Sequence, residues 1–187
     1  MTRLLLIRHG ETDWNQEGRW QGQADVPLNE AGRRQAERIS ELLEDCPIEA
    51  VYSSDLQRAR QTALILAAEK GLPLVVDERL REIHQGEWQG LKVSEIEASY
   101  GRLFKERNSN LLNVSPPGGE TAYQVRMRML AAVCEILGRH TGKTVAIVSH
   151  GFALAVVRAH YLDLPADRIW ELVPKNGEII VIDLESC

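Results

Sequence analysis

Short apolar runs alternate with stretches of helical periodicity along the whole chain. Leu4–Ile7, residues 48–52, 73–76, 144–148 and 178–184 read as strands. The first and fourth are nearly continuous apolar runs, the pattern of strands covered on both faces. Between them, apolar residues recur every three or four positions. Ala36, Ile39, Leu42 and Leu43 mark a helix over residues 30–44, with Asn29 as its N-cap and Pro47 beyond its end. A second helix covers 56–70, capped by Ser54 or Asp55 and closed by Gly71. Residues 92–107 have weaker amphipathicity. Val125, Met129, Ala132, Val133, Ile136 and Leu137 form the stripe of the longest helix, over 120–139, and a last helix spans 152–162.

The polar positions mark the links. Residues 13–27 carry Gly18, Gly22, Pro27, Trp14 and Trp20, which suggests an ordered loop lying over something. Residues 80–90 form a second loop rich in Gly and charge, and 108–119 break the chain with Pro116-Pro117-Gly118-Gly119. Residues 168–174 fit a short strand or an irregular link equally well. Strands alternating with helices imply an α/β fold: a three-layer sandwich with a mainly parallel central sheet flanked by helices. Residues 85–119 read as a helical insertion after the third strand, within a single domain over 1–187.

Composition narrows the function. The 187 residues are 44% apolar and 26% charged, with a net charge of −5. That sign argues against a nucleic-acid or anionic-membrane binder, so any positive field must be local. The three cysteines, Cys46, Cys134 and Cys187, are spread out and stand beside no histidine, which suggests reduced thiols. No leader-like or membrane-spanning run is visible. Together these point to the cytoplasm. Homodimerisation is left open.

The candidate chemistry lies at strand ends. The first strand stops at Arg8-His9-Gly10 and the fourth at Ser149-His150-Gly151. The second stops at Ser53-Ser54-Asp55, just before Arg58 on the next helix. In open α/β sheets ligands bind outside the carboxyl ends of strands, so Arg8, His9, Arg58 and His150 should meet on one rim. Helix N-termini there add free N–H groups, a seat for an anion. No cluster with metal-ligand spacing is present, and neither metal nor cofactor is expected.

The run Arg8-His9-Gly10-Glu11-Thr12 with Asn15 resembles the signature of the histidine phosphatase superfamily, the phosphoglycerate-mutase-like proteins. The likeness continues through Pro27-Leu28-Asn29-Glu30-Ala31-Gly32, Ser53-Ser54-Asp55-Leu56-Gln57-Arg58, Leu80-Arg81-Glu82, Gly86-Glu87-Trp88-Gln89-Gly90, Gly118-Gly119-Glu120 and Val148-Ser149-His150-Gly151. The resemblance implies that His9 becomes phosphorylated and that Arg8, Arg58 and a cationic His150 hold the phosphoryl oxygens. Asn15, Gln21, Gly22 and Gly151 add contacts, and Glu82 donates the proton to the leaving oxygen, then takes one from water. A hydrogen bond from His9 to a backbone carbonyl such as that of Gly10 would fix the reactive tautomer. His84 is a candidate contact beyond the phosphate. Glu11 reads as buried and structural. Trp14, Trp20 and Trp88 either wall the site or pin its loops, and His140 and His160 read as non-functional.

Mutases of this family carry a longer insertion with basic residues for a substrate carboxylate, and a closing tail. Here the stretch after Glu82 is short, its cations are few (Lys92, Arg102, Lys105, Arg107), and the chain stops at Cys187. The expectation is a phosphatase of small phosphomonoesters, similar to the broad-specificity and α-ribazole phosphatase branches. The alternatives are a cofactor-dependent phosphoglycerate mutase and a non-catalytic phosphate-binding module.

Overall fold

The computed structural model describes residues 1–185. Five strands form one sheet: β1 (Thr2–Arg8), β2 (Ile48–Ser53), β3 (Leu74–Val76), β4 (Thr144–Ser149) and β5 (Ile179–Leu184), in the order β3-β2-β4-β1-β5. All neighbouring pairs are parallel except β1 with β5, which is an antiparallel edge.

Alternation along β1 builds the three layers. Leu5 and Ile7 face α2 (Glu30–Leu42) and α3 (Gln57–Glu69), meeting Ile39, Ala59, Ala63 and Leu66. Leu4 and Leu6 face α5 (Ala122–Arg139) and α6 (Gly151–Tyr161), meeting Val125, Met129, Leu154 and Val157. Because successive strand side chains point to opposite faces, a continuous apolar run is what a sheet with two covered faces requires. The insertion contributes a 3-10 turn at Gly86–Trp88 and α4 (Val93–Ser109). These carry a small core of their own, Trp88, Ile96 and Phe104.

Several local details differ from the sequence expectation. The 13–27 loop opens with a short helix, α1 (Asp13–Glu17), capped by a reciprocal Thr12–Asn15 box. The helix after β2 receives no side-chain cap from its own N-cap residue. Asp55 is paired with Arg81 instead, and the Gln57 N–H donates to Asp25 Oδ1 at 2.7 Å. The longest helix begins behind a Thr121–Gln124 capping box rather than at Glu120. Of residues 168–174, left open above, 168–172 belong to a 3-10 segment over Ala166–Leu172. Glu11 is half-buried rather than buried, but it is structural, with Oε1 accepting from Asn29 Nδ2.

The thiol expectation also changes. Cys46 is free, but Cys134 is disulfide-bonded, and Cys187 lies outside the described residues. Three reduced thiols therefore do not hold, and the support they lent to the cytoplasm goes with them. Among the described residues no helix is long and apolar enough to cross a membrane, and no group of His, Cys, Asp or Glu could hold a metal ion.

Candidate active site

Strand register brings the two histidines together. Arg8 of β1 pairs with Ser149 of β4, and the His9 N–H donates to Ser149 O at 3.0 Å. The next residues, His9 and His150, therefore stand side by side, with ring centroids 5.1 Å apart. Gly10 passes over α2 so closely that a Cβ there would lie 2.3 Å from Gly32 O. Only glycine permits that crossing, which sets the chain direction just after His9.

His9 Nδ1 lies 2.6 Å from Gly10 O. A carbonyl only accepts, so Nδ1 carries the proton and Nε2 keeps its lone pair. Burial, then Arg58 and Arg8, push the His9 pKa well below its ordinary value, so the ring is neutral. Burial, then Arg58, His9, Arg128 and Arg8, push down the pKa of His150, which is wholly buried with both ring nitrogens unpartnered. In this structure His150 thus favours the neutral form, against the cationic His150 expected from the sequence. Two buried guanidiniums repel a third positive charge until an anion arrives.

Arg58 and Arg8 are held from behind by carbonyls. Arg58 is 1% exposed; its Nη1 donates to Ala24 O at 2.6 Å and its Nη2 to Gly22 O at 2.7 Å. Arg8 Nη1 donates to Pro174 O at 2.6 Å. The Nε of each is buried without a partner. Burial lowers both pKa values, that of Arg58 to about 10, and Glu82 opposes the shift in each. Both remain cations at neutral pH.

Glu82 is seated on the start of α6. Its Oε2 accepts from the Phe152 N–H at 3.0 Å, and its Oε1 from the Ala153 and Ile83 N–H groups, each at 2.9 Å. These helix donors have no intrahelical partner, so a carboxylate is a natural cap. The segment bearing Glu82 is braced by Arg128 of α5, which donates to Arg79 O, Arg81 O and Glu82 O and pairs with Glu120.

Arg8, His9, Asn15, Gln21, Gly22, Arg58, Glu82 and Gly151 all line one cavity. Asn15 Oδ1 is occupied by Thr12 and by Asn176 Nδ2. His84 does not belong to this group. Its Nδ1 accepts from the Gly86 N–H at 3.0 Å, which fixes the following turn. The cavity also has members that sequence reading missed as site residues: Arg19, Gln85, Phe152, Trp170 and Val173. Phe152 adjoins the fourth strand-end motif and Gln85 lies three residues past Glu82, but Arg19, Trp170 and Val173 stand far from every strand-end motif in the sequence. Trp20 does line the cavity, whereas Trp88 is fully buried behind it. His140 bonds to Tyr52 Oη and His160 to Arg126, both away from the cavity.

Two facing histidines, the buried Arg58, the half-buried Arg8 and the carboxylate of Glu82 thus meet at the carboxyl ends of the parallel strands of an α/β fold. The chain belongs to the histidine phosphatase superfamily (branch 1), whose family model matches residues 4–187. It is 32% identical over 186 residues to phosphoserine phosphatase 1 of Hydrogenobacter thermophilus, a match covering 100% of this chain and 88% of the relative. Its fold superposes on the structure of Bacillus stearothermophilus YhfR with a TM-score of 0.89 at 39% identity, covering 98% of this chain and 92% of that one. The α-ribazole phosphatase of Shigella flexneri gives a TM-score of 0.88 at 27% identity, covering 97% and 90%.

Proposed function

We propose that the protein hydrolyses small phosphomonoesters through a phosphohistidine on His9, without a metal. One observation carries the reading. His9 is held as the Nδ1–H tautomer by Gly10 O, which leaves Nε2 as a nucleophile beside Arg8, Arg58 and His150. Similarity to named phosphatases over the full chain supports hydrolysis as the outcome.

In the first half-reaction Nε2 attacks phosphorus in line and the bond to the leaving oxygen breaks. Glu82 gives that oxygen a proton and becomes a carboxylate. In the second, Glu82 takes a proton from water, the water oxygen attacks phosphorus, and the P–N bond breaks to return His9 and release phosphate. The free Nε donors of Arg8 and Arg58, with the helix N-terminus at Gly151, match the charge that spreads over the phosphoryl oxygens. His150 gains a proton more readily once that anion is bound.

The test is turnover of p-nitrophenyl phosphate in EDTA by wild type and His9→Ala. We expect the variant to lose about 10³-fold or more in kcat. Wild type quenched in alkaline detergent should carry a phosphoryl label on His9 that is stable to base and lost in acid. Full activity in His9→Ala, or no label under rapid quench, would refute the mechanism.

A further inference from the structure

The segment that carries Glu82 has little regular structure of its own. It follows the 3-10 turn Glu78–Leu80, and Arg81 at the exit is extended (φ −61°, ψ 156°). Its backbone carbonyls find their donors among side chains instead of a helix or a sheet. Arg128 of α5 takes three of the four from residues 79–82. Its Nη1 donates to Arg79 O at 2.8 Å and to Arg81 O at 2.6 Å, and its Nη2 to Glu82 O at 2.9 Å. Ser149 Oγ, one residue before His150, donates to the fourth, Leu80 O, at 2.7 Å.

The other donors of Arg128 are committed as well. Nε donates to Glu120 Oε1 at 2.9 Å and Nη2 to Glu120 Oε2 at 2.8 Å. A guanidinium has five N–H donors, and all five are used. Arg8 and Arg58, by contrast, each keep a free Nε. A cation with no donor left for a ligand has a different task. Glu120 extends the hold: its Oε2 also accepts from the His84 N–H at 2.8 Å and from Gln23 Nε2 at 3.4 Å. Gln23 Nε2 in turn donates to Glu82 O at 3.0 Å. Gln23 stands between Gly22 and Ala24, whose carbonyls hold Arg58. The Arg128–Glu120 pair thus ties the backbone of the acid to the loop that aims the phosphoryl clamp. Burial alone would raise the Glu120 pKa, but the bonds from Arg128, then that from the His84 N–H, bring it below its ordinary value, so the pair stays ionised at neutral pH.

We propose that Arg128, working with Glu120, is a positioning residue for proton transfer: without touching the substrate, it sets where the Glu82 carboxyl stands against the leaving oxygen. This deepens the phosphatase reading and rests on it. The tip of Glu82 reaches the Ile83, Phe152 and Ala153 N–H groups only if its stem starts from one place, and Arg128 fixes that start. The planar fork of a guanidinium gathers three carbonyls and a carboxylate at once, whereas an ammonium keeps the charge and loses the geometry. Arg128→Lys is therefore the discriminating variant. It retains the positive charge that acts on Glu120 and on His150, so its effect reports the lost fork.

The experiment measures kcat/KM, which reports the step that phosphorylates His9, on two aryl esters. The leaving oxygen of phenyl phosphate needs the proton, and that of 2,4-dinitrophenyl phosphate does not. We expect Arg128→Lys to lose about 10- to 100-fold on the first and less than about 3-fold on the second. In a Glu82→Gln background there is no proton to place, so adding Arg128→Lys should slow phenyl phosphate no further. Equal losses on both esters, which a merely structural pin would give, overturn the proposal. So do wild-type rates in Arg128→Lys, or losses that multiply in the double variant. Should Arg128→Lys not fold, Glu120→Gln loosens the same pair and is read by the same criteria. If wild type turns over neither ester, the phosphatase reading fails, and amide hydrogen exchange tests the positioning role by itself. Relative to the amides of β4, the Phe152 and Ala153 N–H groups should exchange about 10-fold or more faster in Arg128→Lys than in wild type. Unchanged relative exchange refutes the role.

Discussion

Arg58 and Arg107 are both buried guanidiniums, both with pKa values pushed down to about 10, yet their surroundings are opposites. Arg58 is fed by carbonyls of the loop above it, Ala24 O and Gly22 O, and feels the carboxylate of Glu82. Arg107 meets only the faces of Trp20, Trp88 and Trp170. Carbonyls fix direction as well as position: they hold two nitrogens of Arg58 and leave Nε for a ligand. Ring faces fix position alone. The phosphoryl end of the cavity is thus aimed, whereas the aromatic end is merely charged. A site whose chemistry is invariant gains from the first arrangement, because preorganised donors need no reorganisation in the transition state.

The comparison can be attacked first at its aimed end. Glu82→Gln keeps the size of the side chain but cannot transfer the proton. Turnover of alkyl phosphates should drop by about 10²-fold or more, and turnover of 2,4-dinitrophenyl phosphate, whose leaving group needs no proton, by far less. An equal loss on both would mean that Glu82 acts by holding the α6 terminus, not as an acid.

Stability separates the two arginines directly. Arg58→Met strands two buried carbonyl oxygens and should cost about 2 kcal/mol or more in urea unfolding. Arg107→Met strands nothing, and an apolar side chain fits an aromatic box. The several kcal/mol spent burying an unpaired cation offset its ring contacts, so the change should stay within about 1 kcal/mol of wild type. If Arg107→Met proves the more damaging of the two, the contrast is wrong.

The smallest effect concerns pH. His150 is held neutral by burial and by Arg58, so its folded pKa lies below its unfolded value. Below about pH 6.5 the unfolded chain takes up a proton that the folded chain refuses, and stability falls as pH falls. Its stabilising share is complete above that pH. His150→Asn should flatten the loss between pH 6.5 and 5.5 by up to about 1.4 kcal/mol per pH unit, read from denaturant melts. An unchanged slope would place the titration elsewhere.

The strand-end motifs were legible because their signal is local. The run Leu4–Ile7 is apolar at every position since both its faces are covered, and that pattern also says where the strand stops. Parallel register then forces Arg8-His9 and Ser149-His150 together without further information. Asn29 was readable for the same reason: a cap is set within a few residues. His84 lies outside the cavity lining because nearness in sequence does not say which way a loop residue points. The cap of α3 was misplaced because its real donor-acceptor partner, Asp25, comes from a loop 32 residues away.

The sequence by itself determined the layers, the strand tips and the identity of the groups that meet there, all consequences of periodicity and of chain direction at a strand end. The tertiary structure alone decided the charge state and aim of those groups. His150 is neutral because the fold buries it completely and sets the guanidinium of Arg58, from another element, beside it. Glu82 sits on α6 because free helix N–H groups lie within its reach. Arg107, one unremarkable cation among four in the insertion, became a caged one because three indoles from separate segments closed around it. Electrostatics depends on distance and burial between residues remote in the chain, and neither is written in any local pattern.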